Sequence, residues 1–293
     1  MDLSVPNPPL VRQGRILRLP SGGALHVTGP HAAAPLLFLH GVGGGAWSFA
    51  PQAAALCDER RVYVWEARGH GIARATPDAG LGDYFIDAGE ALDAIRTDGA
   101  RDAGGAVPWV IGHSMGGLLA IALAAERPAD VRGLVLVDPV YAPDGATHLD
   151  GRAARIARRV FEPLVASMLC DGMIARSIAR AVFAAAFVDP DCRDRAWRRQ
   201  RTQVPIEYPK MMYEAFDGPT HFPNRAFARE IAVPTLLFEP DAVVRPRFPQ
   251  LVTDLERLGE RFTYLVLDGG HYLQLDRSAA RLTASIRAFV NRW

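Results

Sequence analysis

Apolar runs recur along the chain, and each is closed by glycine, proline or a charged residue. They lie at Pro35 to His40, Arg61 to Ala67, Val107 to Gly112, Val131 to Asp138, Val233 to Pro240 and Arg261 to Gly270. Each is short and apolar on both alternating sets of positions, the pattern of a strand buried on both faces. Ahead of them, Gly14 to Gly29 reads as two shorter strands around the turn Pro20-Ser21-Gly22-Gly23. Between the runs the apolar spacing changes to that of a helix, at Trp47 to Cys57, Asp83 to Ile95, Met115 to Glu126, Phe248 to Leu258 and Arg277 to Val290. Strands alternating with helices predict an α/β fold, with a mostly parallel sheet and helices on both faces.

The alternation stops between Pro139 and Ile231, where helical patterns rich in methionine and aromatic residues replace it. A structureless loop of that length is disfavoured inside a compact domain. The expected organisation is therefore a core domain, 1–139 and 231–293, carrying a helical cap over 140–230. Met211 and Phe187 are examples of cap residues that would line an apolar pocket.

Composition narrows the function classes. Hydrophobic residues make up 49%, charged residues 22%, and the net charge is +1, so neither nucleic acid nor an acidic membrane surface is an expected partner. The arginines of 152–159 and 197–201 read as solvated helix faces rather than an anion site. Cys57, Cys170 and Cys192 form no CxxC pair, which argues against a disulfide framework or a zinc knuckle. The first residues lack the pattern of a secretory signal, and no apolar run is long enough to span a bilayer. A soluble cytoplasmic protein, monomer or homodimer, is expected.

The chemistry concentrates at Gly112-His113-Ser114-Met115-Gly116. This is a G-x-S-x-G string between a buried strand and a helix, the setting of a nucleophile elbow, in which a tight turn lifts the serine hydroxyl above the sheet. A serine nucleophile needs a base, and the base needs an orienting acid. Of the three histidines after Ser114, His148 and His221 lie in the expected cap. His271 follows the last strand, after Gly269 and Gly270, and is the expected base. For the acid, the loop after the penultimate strand offers Glu239 and Asp241. Asp241 is the expected acid because it lies on the loop proper; Asp138, one strand earlier, competes with it. Oxyanion donors are expected from the backbone N–H of Met115 and of Val42, in the glycine loop after His40.

Taken together, His40-Gly41, Arg68-Gly69-His70-Gly71, the elbow, Asp241 and Gly270-His271 resemble the α/β-hydrolase superfamily, in particular bacterial serine esterases and C–C hydrolases. The resemblance runs from about Leu25 to the C-terminus and is weakest in the cap. It implies an α/β-hydrolase fold with an eight-stranded sheet and a helical lid, and a serine hydrolase acting on a medium-sized apolar carboxylic ester. Lactone, thioester and C–C cleavage use the same triad and stay open. No metal and no organic cofactor is implied. Glu66 stands where the family usually has aspartate, and the Arg-Gly-His-Gly loop is expected to be structural.

Two other readings compete. A homologue with an idle triad would be a ligand-binding protein. Gly41, Gly43 and Ala46, with Glu66 about twenty residues on, also fit a dinucleotide-binding fingerprint and hence an NAD-dependent dehydrogenase.

Overall fold

The computed structural model describes residues 14–31, 34–73, 79–99, 107–141, 180, 183–200, 224–241 and 249–293. Eight strands form one sheet: β1 (Arg15–Arg18), β2 (Ala24–Thr28), β3 (Leu36–Leu39), β4 (Val62–Glu66), β5 (Trp109–His113), β6 (Gly133–Val137), β7 (Thr235–Pro240) and β8 (Phe262–Leu267). Their order is β1-β2-β4-β3-β5-β6-β7-β8. β1 and β2 are antiparallel to their neighbours. From β4 onward every pair is parallel. This is the α/β-hydrolase fold with the sheet the alternation implied. The strand order also argues against the dinucleotide reading: β4 and β5 lie on opposite sides of β3, whereas a dinucleotide-binding fold sets the two strands that follow its first on the same side.

β3, β4, β5 and β6 are buried at every position, which explains their unbroken apolar runs. The edge strand β1 is largely exposed and carries Arg15 and Arg18, charged positions that blunt an open edge. On one face pack α1 (Ala50–Leu56) and α7 (Ala279–Arg292). α7 buries Leu282, Ile286, Phe289 and Val290, a single stripe at helical spacing. The other face carries α2 (Leu81–Gly99), α3 (Met115–Glu126), α5 (Asn224–Glu230) and α6 (Pro249–Glu256). α3 is buried on all sides from Met115 to Ala124, so it has no polar stripe.

Between β6 and β7 the described residues add no strand. They include α4 (Pro190–Gln200) and α5, and the buried Ala228 of α5 joins the same core cluster as α3. Met168, Met173, Met211, Met212, His148, His221, Cys170 and the arginines of 152–159 lie outside the described residues. No helix among the described residues is long and apolar enough to cross a membrane.

Candidate active site

Ser114 sits between β5 and α3 at φ 54°, ψ −118°. Only Ser114 and Asp138 (φ 40°) have positive φ among the described non-glycine residues. Such a conformation costs about 1–3 kcal/mol and survives only where neighbours over-determine it. Here they do. The Ser114 N–H donates to Val137 O at 3.1 Å, and its carbonyl accepts from Gly117, Leu118 and Val140 at 2.9, 3.2 and 3.0 Å. The glycines are a steric requirement. A Cβ on Gly112 would overlap the Gly116 carbonyl, one on Gly116 would overlap that of Leu39, and one on Gly117 would lie 2.6 Å from Pro139 Cβ. The turn that local propensity would reject is thus forced by strand, helix and β6 meeting at one point.

His271 is the histidine brought to this point. Its Nδ1 lies 2.5 Å from Asp138 Oδ2. Asp138 is buried, whereas the imidazole is partly exposed. With Nδ1–H donating to the carboxylate, Nε2 carries the free lone pair, the state a general base requires. The His271 carbonyl also accepts from His113 Nε2 at 2.9 Å, drawing the loop after β8 back toward the elbow.

The expected acid, Asp241, is elsewhere. It is exposed, its N–H donates to Leu267 O at 2.9 Å, and its Oδ1 accepts from Gly269 N at 3.2 Å. It braces the turn that leads to His271 and does not face the ring. Glu239 is buried and accepts from the Tyr264 hydroxyl at 2.7 Å. Register explains why Asp138 is the carboxylate that meets His271. Val137 pairs with His113 across β6 and β5, so the next residues of the two strands are Asp138 and Ser114. The tether from His113 carries the His271 loop past β7 to reach them.

The loop after β3 lies against Ser114. A Cβ on Gly41 would come within 2.9 Å of Ser114 Cβ. Val42 follows Gly41 and is nearly buried, and Met115 opens α3, where the first N–H groups have no intrahelical acceptor. Val42 thus follows the residue that abuts Ser114, and Met115 follows Ser114 itself. The loop is held from beneath by His40, whose Nδ1 donates to Gly41 O at 2.8 Å and whose Nε2 accepts from Ala67 N at 3.1 Å. Burial holds the His40 pKa below the ordinary histidine range. His70 packs against it with ring centroids 4.7 Å apart. Burial, reinforced by His40, drives His70 down to about 3.

Glu66 is buried and accepts from Ala46 N at 3.1 Å, Ile72 N at 3.0 Å and His26 Nε2 at 3.1 Å. Burial opposes its ionisation, but His26 and the two amides outweigh that and hold its pKa below normal. Its oxygens are thus engaged in joining two loops, not presented to a ribose.

The alpha/beta hydrolase family matches residues 36–284. The chain belongs to this family. Among curated relatives, lipase LipV of Mycobacterium tuberculosis is 35% identical over 176 residues, 58% of this chain and 59% of that protein. The mouse sn-1-specific diacylglycerol lipase ABHD11 is 37% identical over 115 residues, 38% of this chain and 34% of that protein. The chain spans about half or less of the length of the first curated relatives it matches. Of solved structures, the enol-lactonase from Burkholderia xenovorans LB400 superposes with TM-score 0.71 at 22% identity, covering 94% of this chain and 100% of that one. An esterase from Thermogutta terrifontis gives 0.69 at 21% identity, covering 96% and 98%. At such identities the likeness concerns the fold.

Three residues beside the site carried no signal when read singly. His113 is the variable position of the elbow string, yet its ring lies 4.6 Å from that of His271 and 4.8 Å from that of Tyr272. Tyr272 stacks on Phe187 at 5.0 Å, so this expected pocket residue lies within the aromatic cluster around Tyr272. Asp276 is buried five residues beyond His271.

Proposed function

We propose that this alpha/beta hydrolase is a serine hydrolase with the triad Ser114, His271 and Asp138, the last in place of Asp241. The observation that carries the reading is the 2.5 Å contact between His271 Nδ1 and Asp138 Oδ2, made at the end of β6, the strand that pairs with β5 just ahead of the strained Ser114 elbow. His271 Nε2 removes the hydroxyl proton as Ser114 Oγ attacks the acyl carbonyl. The oxyanion so formed takes hydrogen bonds from the N–H groups of Val42 and Met115. Collapse breaks the acyl–oxygen bond, and His271 gives its proton to the departing alcohol. Water, deprotonated by His271, then attacks the acyl-serine and regenerates the enzyme. Asp138 holds the ring in the Nδ1–H tautomer and stabilises the imidazolium in both halves.

The substrate class is a medium-sized apolar carboxylic ester. Residues 140–230 act as its cap, a reading supported by the break in strand alternation and by Phe183 and Phe187 gathered on Tyr272 beside His271. The test is a panel of p-nitrophenyl esters of rising chain length, with a lactone and a thioester alongside, run on the wild type and Ser114→Ala. The variant should lose four to six orders of magnitude in kcat, about the effect of removing a nucleophile that works as one unit with its base. Retention of a few per cent of activity refutes the triad. A fluorophosphonate probe separates a working enzyme from a ligand-binding homologue, since only an activated Ser114 is labelled.

A further inference from the structure

Asp276 is a buried carboxylate for which neither the fold nor the proposed chemistry accounts. Its Oδ2 accepts from Gly270 N at 2.8 Å and from Val188 N at 2.8 Å. Its Oδ1 accepts from Asp189 N and from Arg277 N, both at 3.0 Å. Four backbone donors thus converge on one anion, in a charge-assisted set stronger than neutral bonds. Two of the donors belong to the segment leading into α4, and one is the residue immediately before His271.

The two segments are pressed together at the same place. Tyr272 N donates to Ala186 O at 3.3 Å. A Cβ on Gly270 would overlap that same carbonyl, so this approach requires glycine. Phe183 and Phe187 complete the contact on the Tyr272 ring, at 5.3 and 5.0 Å. His271 is therefore held on two sides: its carbonyl by His113, and the residue before it by Asp276.

We propose that Asp276 is a positioning residue that sets His271 by tying its loop to residues 186–189, so that the segment over the aromatic cluster and the general base move as one body. The inference rests on the triad reading for its kinetic consequence, though not for its geometry. Displacing a catalytic group by about 1 Å costs about a hundredfold in rate. Asparagine at 276 is nearly the same size, but it keeps one acceptor oxygen and turns an NH2 group toward two N–H donors. The latch should open without a cavity being made.

The experiment pairs Asp276→Asn kinetics with two readouts that need no turnover. In the folded variant, kcat should fall about 10- to 100-fold with KM within about threefold. The downfield proton resonance of the His271–Asp138 hydrogen bond should shift or broaden. In the unmutated chain, the amide protons of Val188, Asp189 and Gly270 should exchange slowly and together, because one carboxylate accepts all three; this holds the test even if the variant does not fold. A folded Asp276→Asn with kcat within twofold of wild type and an unmoved resonance overturns the proposal. So does native exchange of Val188 and Asp189 more than tenfold faster than that of Gly270. If Ser114→Ala remains active, the triad reading fails, while the resonance and the exchange rates still decide the latch.

Discussion

Asparagine at 138 isolates the orienting charge. The residue is nearly isosteric, and it tolerates the positive φ of 40° better than most residues would, so the end of β6 is kept. What changes is the partner of His271 Nδ1 at 2.5 Å. A carboxylate facing the imidazolium that forms during attack is worth about 4 kcal/mol, at about 4 Å between charge centres and an effective dielectric of about 20. The amide can also donate to Nδ1, which places the ring proton on Nε2 and removes the base; that adds about 1 kcal/mol. A total of about 4–5.5 kcal/mol is three to four orders of magnitude in kcat. Asp241→Asn is the control. Among the described residues its side chain is bonded only by Gly269 N at 3.2 Å, a contact that an amide oxygen can still accept, so kcat should stay within about threefold. Both variants are assayed under single-turnover conditions with a p-nitrophenyl ester, beside melting curves, because an unfolded variant imitates a catalytic defect. A folded Asp138→Asn with near-normal kcat, against a folded but inactive Asp241→Asn, would refute the argument from register.

Two further outcomes test the scaffold. Gly116→Ala puts a methyl group into the Leu39 carbonyl, which cannot yield, and should cost about 3–5 kcal/mol in urea unfolding; a loss below 1 kcal/mol would mean that the elbow has slack. His70, held neutral by burial down to about 3, binds its proton more readily when unfolded, where a pKa of about 6.5 applies. Its contribution is full above the unfolded value and is lost as pH falls from about 6.5 toward about 3, amounting to several kcal/mol. His70→Asn should flatten the acid limb of stability against pH over that window, and an unchanged slope would place the titration elsewhere.

The sheet was legible because each buried strand is an uninterrupted apolar run, and burial on both faces leaves little alternative. The elbow was legible because its steric demands fall on adjacent residues, where a string can record them. The acid was not. Asp138 and Asp241 both follow a strand, and the choice between them depends on how far the loop after β8 reaches back. That reach is set by His113, 158 residues away from His271 in sequence. Asp276 escaped for a related reason: it binds backbone amides, and amides leave no mark in the string of side chains.

Ser114 and Asp138, ending adjacent strands, both hold a backbone conformation that branched side chains resist. The scaffold therefore filters which chemistries can be tried there. Threonine and valine are excluded at the elbow by the main chain before reactivity matters. Cysteine and aspartate pass, and each brings a different reaction. The strain at this turn therefore also limits which residues can replace Ser114.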